Sequence, residues 1–224
     1  MWDGGDVWIL GGGPSLTRQF DIPDEVVQRV VSGASLPDVY SPYMSAIHSK
    51  HVIGINVAFM IGNWIDMVFF GDPGFFLKYR DKLAAFPKLR VTCVPSAGRA
   101  SWIKLLPLDR SHRRGISSFP NMVSWNKNSG AAAISIAANA GAKRIILVGF
   151  DMKLGQDKRR HWHDIYKRGV VTNDRQMMKL HFSRHLLGFP EIAKDARARG
   201  IEILNACPDS AIKDFPKVTV KELL

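Results

Sequence analysis

Val7-Trp8-Ile9-Leu10-Gly11-Gly12-Gly13-Pro14-Ser15-Leu16 passes from four apolar residues to three glycines, a proline and a serine. An unbroken apolar run of this length reads as a strand covered on both faces, as in a parallel sheet. Glycine permits unusual backbone angles and close approach of a ligand. Pro14 fixes one φ, and Ser15 is suited to cap a helix or bond a phosphate oxygen. Strand, glycine turn and helix start in that order offer backbone N–H groups and a helix dipole to an anion. The stretch predicts a nucleotide-phosphate site at Gly11, Gly12, Gly13, Pro14 and Ser15. The alternative is a tight strand-to-helix turn with no ligand. The dinucleotide fingerprint would need glycine where Leu16 stands, and the Lys-Ser/Thr pair of a P-loop is missing.

The same unit recurs downstream. His51-Val52-Ile53-Gly54-Ile55-Asn56 is a second buried strand ending in a polar side chain. Ligands of open α/β sheets bind beyond the carboxyl ends of strands, which gives Asn56 a ligand role or that of a helix cap. Trp64–Phe70 reads as a third strand, with Asp72 just beyond it. Asp72 suits a ribose, a metal or an acceptor hydroxyl, or only caps the helix that Pro73 begins. Helices are expected at Leu16–Phe20, Asp24–Val31 and Phe75–Phe86, and a fourth strand at Arg90–Pro95. Ser32–Ser49, with Pro37 and Pro42, reads as a surface connection. Residues 97–122 are irregular, basic and broken by proline, which predicts a loop or lid.

Asn128-Ser129-Gly130 opens an alanine-rich helix over 131–140 whose first N–H groups again suit an anion. Arg144–Val148 is a fifth strand, followed by Gly149-Phe150-Asp151, another acid at a strand end. Arg159-Arg160-His161-Trp162-His163-Asp164 lacks the partners of a familiar zinc set and suits an anion better. Asn173–Leu187 is expected to be helical, with His181 and His185 on one face at i, i+4. Glu191–Arg199 is a further helix, and Ile201–Asn205 a sixth strand. The alternation predicts a doubly wound, mostly parallel Rossmann-like α/β sheet. One domain over 1–224 is expected, with lid segments at 97–122 and 153–175.

Composition agrees. With 224 residues, 46% of them hydrophobic, the chain can bury a core, yet its apolar runs are too short to span a bilayer. Two distant cysteines, Cys93 and Cys207, and no basic leader point to a reducing cytoplasm and no secretion signal. A formal net charge of +11 suits an acidic partner such as a nucleotide, an anionic sugar or a nucleic acid. A homo-oligomer is a further expectation.

Gly11–Leu16, Asn56, Asp72, Asn128-Ser129-Gly130, Gly149-Phe150-Asp151 and Cys207-Pro208-Asp209-Ser210 together resemble the small bacterial sialyltransferases that use CMP-sialic acid. They also resemble the related 6-hydroxymethylpterin diphosphokinase MptE-like family, which includes phage-encoded members. The first resemblance implies a metal-independent glycosyltransferase acting on a nucleotide sugar. Gly11, Gly13, Pro14, Ser15, Ser129, Gly130 and Asn56 would then hold the nucleotide, with Gly12 and Asp151 beside them. Arg160, His161, His163 and Tyr166 would serve the phosphate in place of the tyrosines of that family's lid. His185 or His181 would be the general base. The sequence departs from the sialyltransferases at Gly12, where they carry Asn. The second resemblance implies an ATP-dependent diphosphokinase with Mg²⁺ on Asp72 and Asp151. A non-catalytic nucleotide-binding or phage assembly protein on the same fold is a third reading. The phage-encoded relatives imply the cytoplasm of an infected bacterial host, where the basic charge suits a nucleic-acid acceptor.

Overall fold

A computed structural model describes residues 2, 4–163, 165 and 182–224. Seven strands form one sheet: β1 (Asp6–Leu10), β2 (His51–Ile55), β3 (Met67–Phe70), β4 (Leu89–Thr92), β5 (Lys104–Leu105), β6 (Arg144–Val148) and β7 (Glu202–Asn205). Their spatial order is β5-β4-β3-β2-β1-β6-β7, and every pairing is parallel. The helices are α1 (Ser15–Gln19), α2 (Asp24–Ser32), α3 (Pro73–Ala85), α4 (Ser129–Asn139) and α5 (Phe189–Ala198).

Alternation along each strand divides the core into two layers. Trp8, Leu10, Val52, Val68, Phe70 and Val148 pack against Leu16, Val27, Val30, Phe76 and Leu83 from α1 to α3. Val7, Ile9, Ile53, Phe69, Ile145 and Leu147 pack on the other face against Ala132, Ile136, Ile192 and Ala196 from α4 and α5. Each fully buried aliphatic side chain contributes roughly 1.5–3 kcal/mol. The sheet is therefore doubly wound, as the apolar runs predict.

Four details differ from the sequence reading. Residues 37–47 are not a loose surface connection but successive 3₁₀ turns with Tyr40, Met44 and Ile47 fully buried. The prolines interrupt an α-helix there, yet the i, i+4, i+7 spacing still gives one apolar face. The third strand begins at Met67, because Trp64 belongs to the preceding turn, stacked on His48 at 4.4 Å and donating to Ser41 Oγ at 2.8 Å. β5 was not anticipated; it is a two-residue edge strand, too short to show a period. Residues 106–126 are irregular but firmly anchored. Buried Asp109 accepts from Ser111 N and Oγ, His112 N and Ser117 Oγ, which hold its pKa down at about 2. Asn139 at the end of α4 and Arg199 just after α5 both donate to the carbonyl of Ser117.

Of the helix expected over 173–187, residues 182–186 are helical and Leu187 lies in the turn that follows; residues 173–181, with His181, lie outside the described residues. So do Asp164 and residues 166–175 of the expected lid at 153–175, Tyr166 among them. Among the described residues no helix is long and apolar enough to cross a membrane.

Candidate functional site

The chain starts in the middle of the sheet at β1, winds outward to β5, then crosses back to β6 on the other side of β1. The loops leaving β1 and β6 diverge there, and the crevice between them is where such folds bind ligands. Here the two loops are tied together. Gly11 N donates to Val148 O at 2.8 Å and Gly13 N to Gly149 O at 2.8 Å. Ser15 donates to the Asp151 carboxylate through its backbone N at 3.1 Å and its hydroxyl at 2.7 Å. Burial raises the pKa of Asp151, and the bonds from Ser15 pull it the other way. A Cβ on Gly13 would lie 1.9 Å from Asp151 Oδ2, and one on Gly11 would lie 2.6 Å from Gly149 O. Both glycines are therefore required by contact between the loops, before any ligand enters.

This changes the reading of the turn as a phosphate cradle. Leu16 N is also spent, on Gly13 O at 3.2 Å. Gly12 N–H is left as the one amide of the turn without an intramolecular acceptor among the described residues. Pro14 and Ser15 do not line the crevice, and the side chain of Ser15 serves the latch to Asp151.

A strap from the β6 side roofs the turn. Trp162 is fully buried; its indole N–H donates to Gly11 O at 2.9 Å and its backbone N–H to Gly12 O at 3.0 Å. A Cβ on Gly12 would meet His161 Nδ1 at 2.9 Å. The rings of His161 and His163 stack at 5.1 Å and 3°. His163 is buried, and burial, aided by His161 and Lys78, pushes its pKa well below 6.5. It is a neutral imidazole at pH 7. Arg160 lies over the ring of Phe182 at 5.6 Å.

The opposite wall is built on helix starts. Asn128 caps α4, its Oδ1 accepting from Gly130 N at 2.8 Å and Ala131 N at 3.4 Å. Its Nδ2 donates to His185 O at 3.3 Å, which ties helical residues 182–186 to this corner. Ser129 keeps a backbone N–H with no acceptor among the described residues. Just before it, Asn126 and Lys127 are both left-handed, with φ of 53° and 55°. Buried Asn126 holds this backbone by bonding Gly115 N at 2.8 Å, Gly115 O at 3.0 Å and Ser124 O at 3.0 Å. Asp72 caps α3, its Oδ1 accepting from Gly74 N at 2.7 Å and Phe75 N at 3.1 Å. Asn56 is also left-handed, with φ 52°, and its buried Oδ1 has no hydrogen-bond partner among the described residues.

These walls enclose a cavity of about 290 Å³. It brings together Gly11, Gly12, Gly13, Asn56, Asp72, Ser129, Gly130, Asp151, Arg160, His161, His163 and His185, all singled out in the sequence. None of residues 97–122 lines it. Tyr166 and His181 lie outside the described residues. Sequence reasoning missed Trp125, Lys127, Lys153 and Phe182. Trp125 packs where a Cβ on Gly71 would stand. Lys127 has a left-handed backbone, which no local pattern announces. Lys127, Lys153 and Arg160 make the lining cationic, whereas Asp151 is spent on Ser15 and Asp72 keeps one carboxylate oxygen outside its cap. Among the described residues no three His, Cys, Asp or Glu side chains group as a metal site.

No protein-family model matches the chain, and no curated protein matches it. A solved structure does: the sialyltransferase CstII from Campylobacter jejuni, in complex with the substrate analogue CMP-3FNeuAc. The likeness has a TM-score of 0.50 at 14% identity and covers 96% of this chain and 86% of that one. The chain thus has a Rossmann-like α/β fold of the kind on which that glycosyltransferase is built.

Proposed function

We propose that the protein is a glycosyltransferase that moves a sugar from a nucleotide donor to an acceptor hydroxyl without a metal ion. The carrying observation is the cavity at the crossing of β1 and β6, which gathers three cations, two open backbone N–H groups and His185. Open N–H donors and cations placed where charge develops stabilise a departing phosphate. In this reading Asn56, Gly12, Ser129 and Gly130 hold the nucleotide, and Arg160, Lys127 and Lys153 face its phosphate. His185 takes the proton of the acceptor hydroxyl, whose oxygen bonds the anomeric carbon. The carbon–oxygen bond to phosphate breaks, and the nucleotide leaves with the electron pair. The free oxygen of Asp72 holds the acceptor or a ribose. CMP-linked sugars are the first donors to try, since the solved sialyltransferase binds a CMP-sugar analogue on this fold. An Mg²⁺-dependent diphosphokinase would draw on Asp72 and Asp151 as ligands. The prior engagement of Asp151 by Ser15 favours the transferase.

The test is thermal unfolding with CMP, CDP, UDP, GDP and ATP, each with and without Mg²⁺, since a ligand of the folded state raises the midpoint. One nucleotide mono- or diphosphate is expected to stabilise without Mg²⁺. His185→Ala is expected to keep that shift while losing at least roughly a hundredfold in turnover. Stabilisation by ATP alone, and only with Mg²⁺, would overturn the reading in favour of the kinase. No shift with any nucleotide would favour a non-catalytic protein.

A further inference from the structure

The anchored loop over residues 106–126 carries a charge pattern that its own fold does not use. Arg110, Arg113 and Arg114 are exposed on it. Arg114 pairs with Glu191 at 3.7 Å, whereas Arg110 and Arg113 have no ion-pair partner among the described residues. A solvated basic face would ordinarily be mobile and unremarked, but this one is built rigidly. Asp109 fixes the backbone of Ser111 and His112 from one end, and Asp195 Oδ2 accepts from Ile116 N at 2.8 Å at the other. Gly115 between them is left-handed, with φ 82°, and a Cβ there would meet Asp195 Oδ2 at 2.2 Å.

This loop is joined to the rim of the cavity. Asn126 N donates to Arg113 O at 3.1 Å, and the next residue, Lys127, lines the cavity. Asn128 then bonds His185 O, whose neighbour Arg184 is exposed. Arg113 is thus bonded to the residue before Lys127, and Arg184 precedes His185; Lys127 and His185 both line the cavity. Phe119 is 50% exposed and Leu108 is 39% exposed on the same loop. Unpaired arginines on a rigid loop that also exposes an aromatic ring suit a strand of phosphates carrying planar bases, whereas an anionic sugar chain would leave the ring unused.

We propose that the loop around Arg110 and Arg113 is a docking surface for single-stranded nucleic acid, which leads the acceptor to the cavity. The acceptor role rests on the transferase reading; the docking itself does not.

The test uses the intact chain and a fluorescein-labelled single-stranded DNA 20-mer, read by anisotropy from about 50 to 200 mM salt. Arg110→Glu with Arg113→Glu, and the milder Gln pair, are expected to weaken binding on the order of tenfold or more at low salt. The Gln pair removes two phosphate contacts and should flatten the log–log salt slope by about 1.4. Unchanged melting curves and nucleotide-induced shifts are expected in both. Lys82→Glu with Lys88→Glu reverses two exposed charges outside the loop, on α3 and the turn before β4, and is expected to change binding less than about twofold. Equal loss in that control pair would overturn the proposal, since binding would then follow net charge alone. So would no binding at low salt, or displacement by dextran sulfate as effective as by unlabelled DNA, which would mark a site for any polyanion. Strand binding that depends on Arg110 and Arg113, with no nucleotide shift, would retain the surface and remove the transferase.

Discussion

His163 shows how burial converts one side chain into a pH response. Its imidazole is held neutral in the folded protein well below pH 6.5, while the unfolded chain takes up a proton near 6.5. As pH falls below that value the unfolded state binds the extra proton, so stability declines by about 1.4 kcal/mol per pH unit until the folded group titrates. Asp109 adds a separate stabilisation, fully present above 3.8 and lost as pH falls to about 2. Asp151, raised by burial, acts in the opposite sense and favours the fold as pH falls toward the carboxylate range. Urea denaturation of His163→Gln should therefore lose the decline in stability below pH 6.5 that is expected of the parent. An unchanged slope would assign it to another group. The residue roles were unevenly legible. Asp151 could be marked as an acid at a strand end, but its commitment to Ser15 could not, because that bond joins positions far apart in the chain.

At the scale of elements, helix starts carry much of the site. Asp72 and Asn128 cap α3 and α4 with the same geometry, and each also lines the cavity. Capping and chemistry can be separated at Asp72. Asp72→Asn preserves an N-cap acceptor and should change stability by only a few tenths of a kcal/mol, whereas Asp72→Ala should cost about 1 kcal/mol. If the open carboxylate oxygen serves the acceptor, both variants lose turnover alike; if Asp72 only caps, activity follows stability and the Asn variant stays active. The helices and most strands were readable because apolar period and cap residues are local signals. β5 and the strap at 160–163 were not. A two-residue edge strand has no period, and Trp162 is placed by bonds to Gly11 and Gly12, the first of them 151 positions away in the chain.

At the scale of the molecule, the order of the strands was foreshadowed only as a class. Glycine turns after β1 and β6 suggested a doubly wound sheet, but which strands would be neighbours depends on side chains that meet only after folding. That order has a consequence for synthesis. β1 leaves the ribosome first and gains β2 early, yet its other edge has no partner until Arg144–Val148 emerges. At ~5–20 residues per second this is on the order of ten seconds in which an apolar strand edge stands open to other chains. A fragment ending at Lys127 should accordingly be insoluble on expression and be rescued by co-expressing residues 128–224, while a soluble, monomeric fragment would show that the first half closes its own edge. The nascent chain is thus a client for holding factors until its sixth strand is made, and its yield in cells should depend on them more than its final stability would suggest.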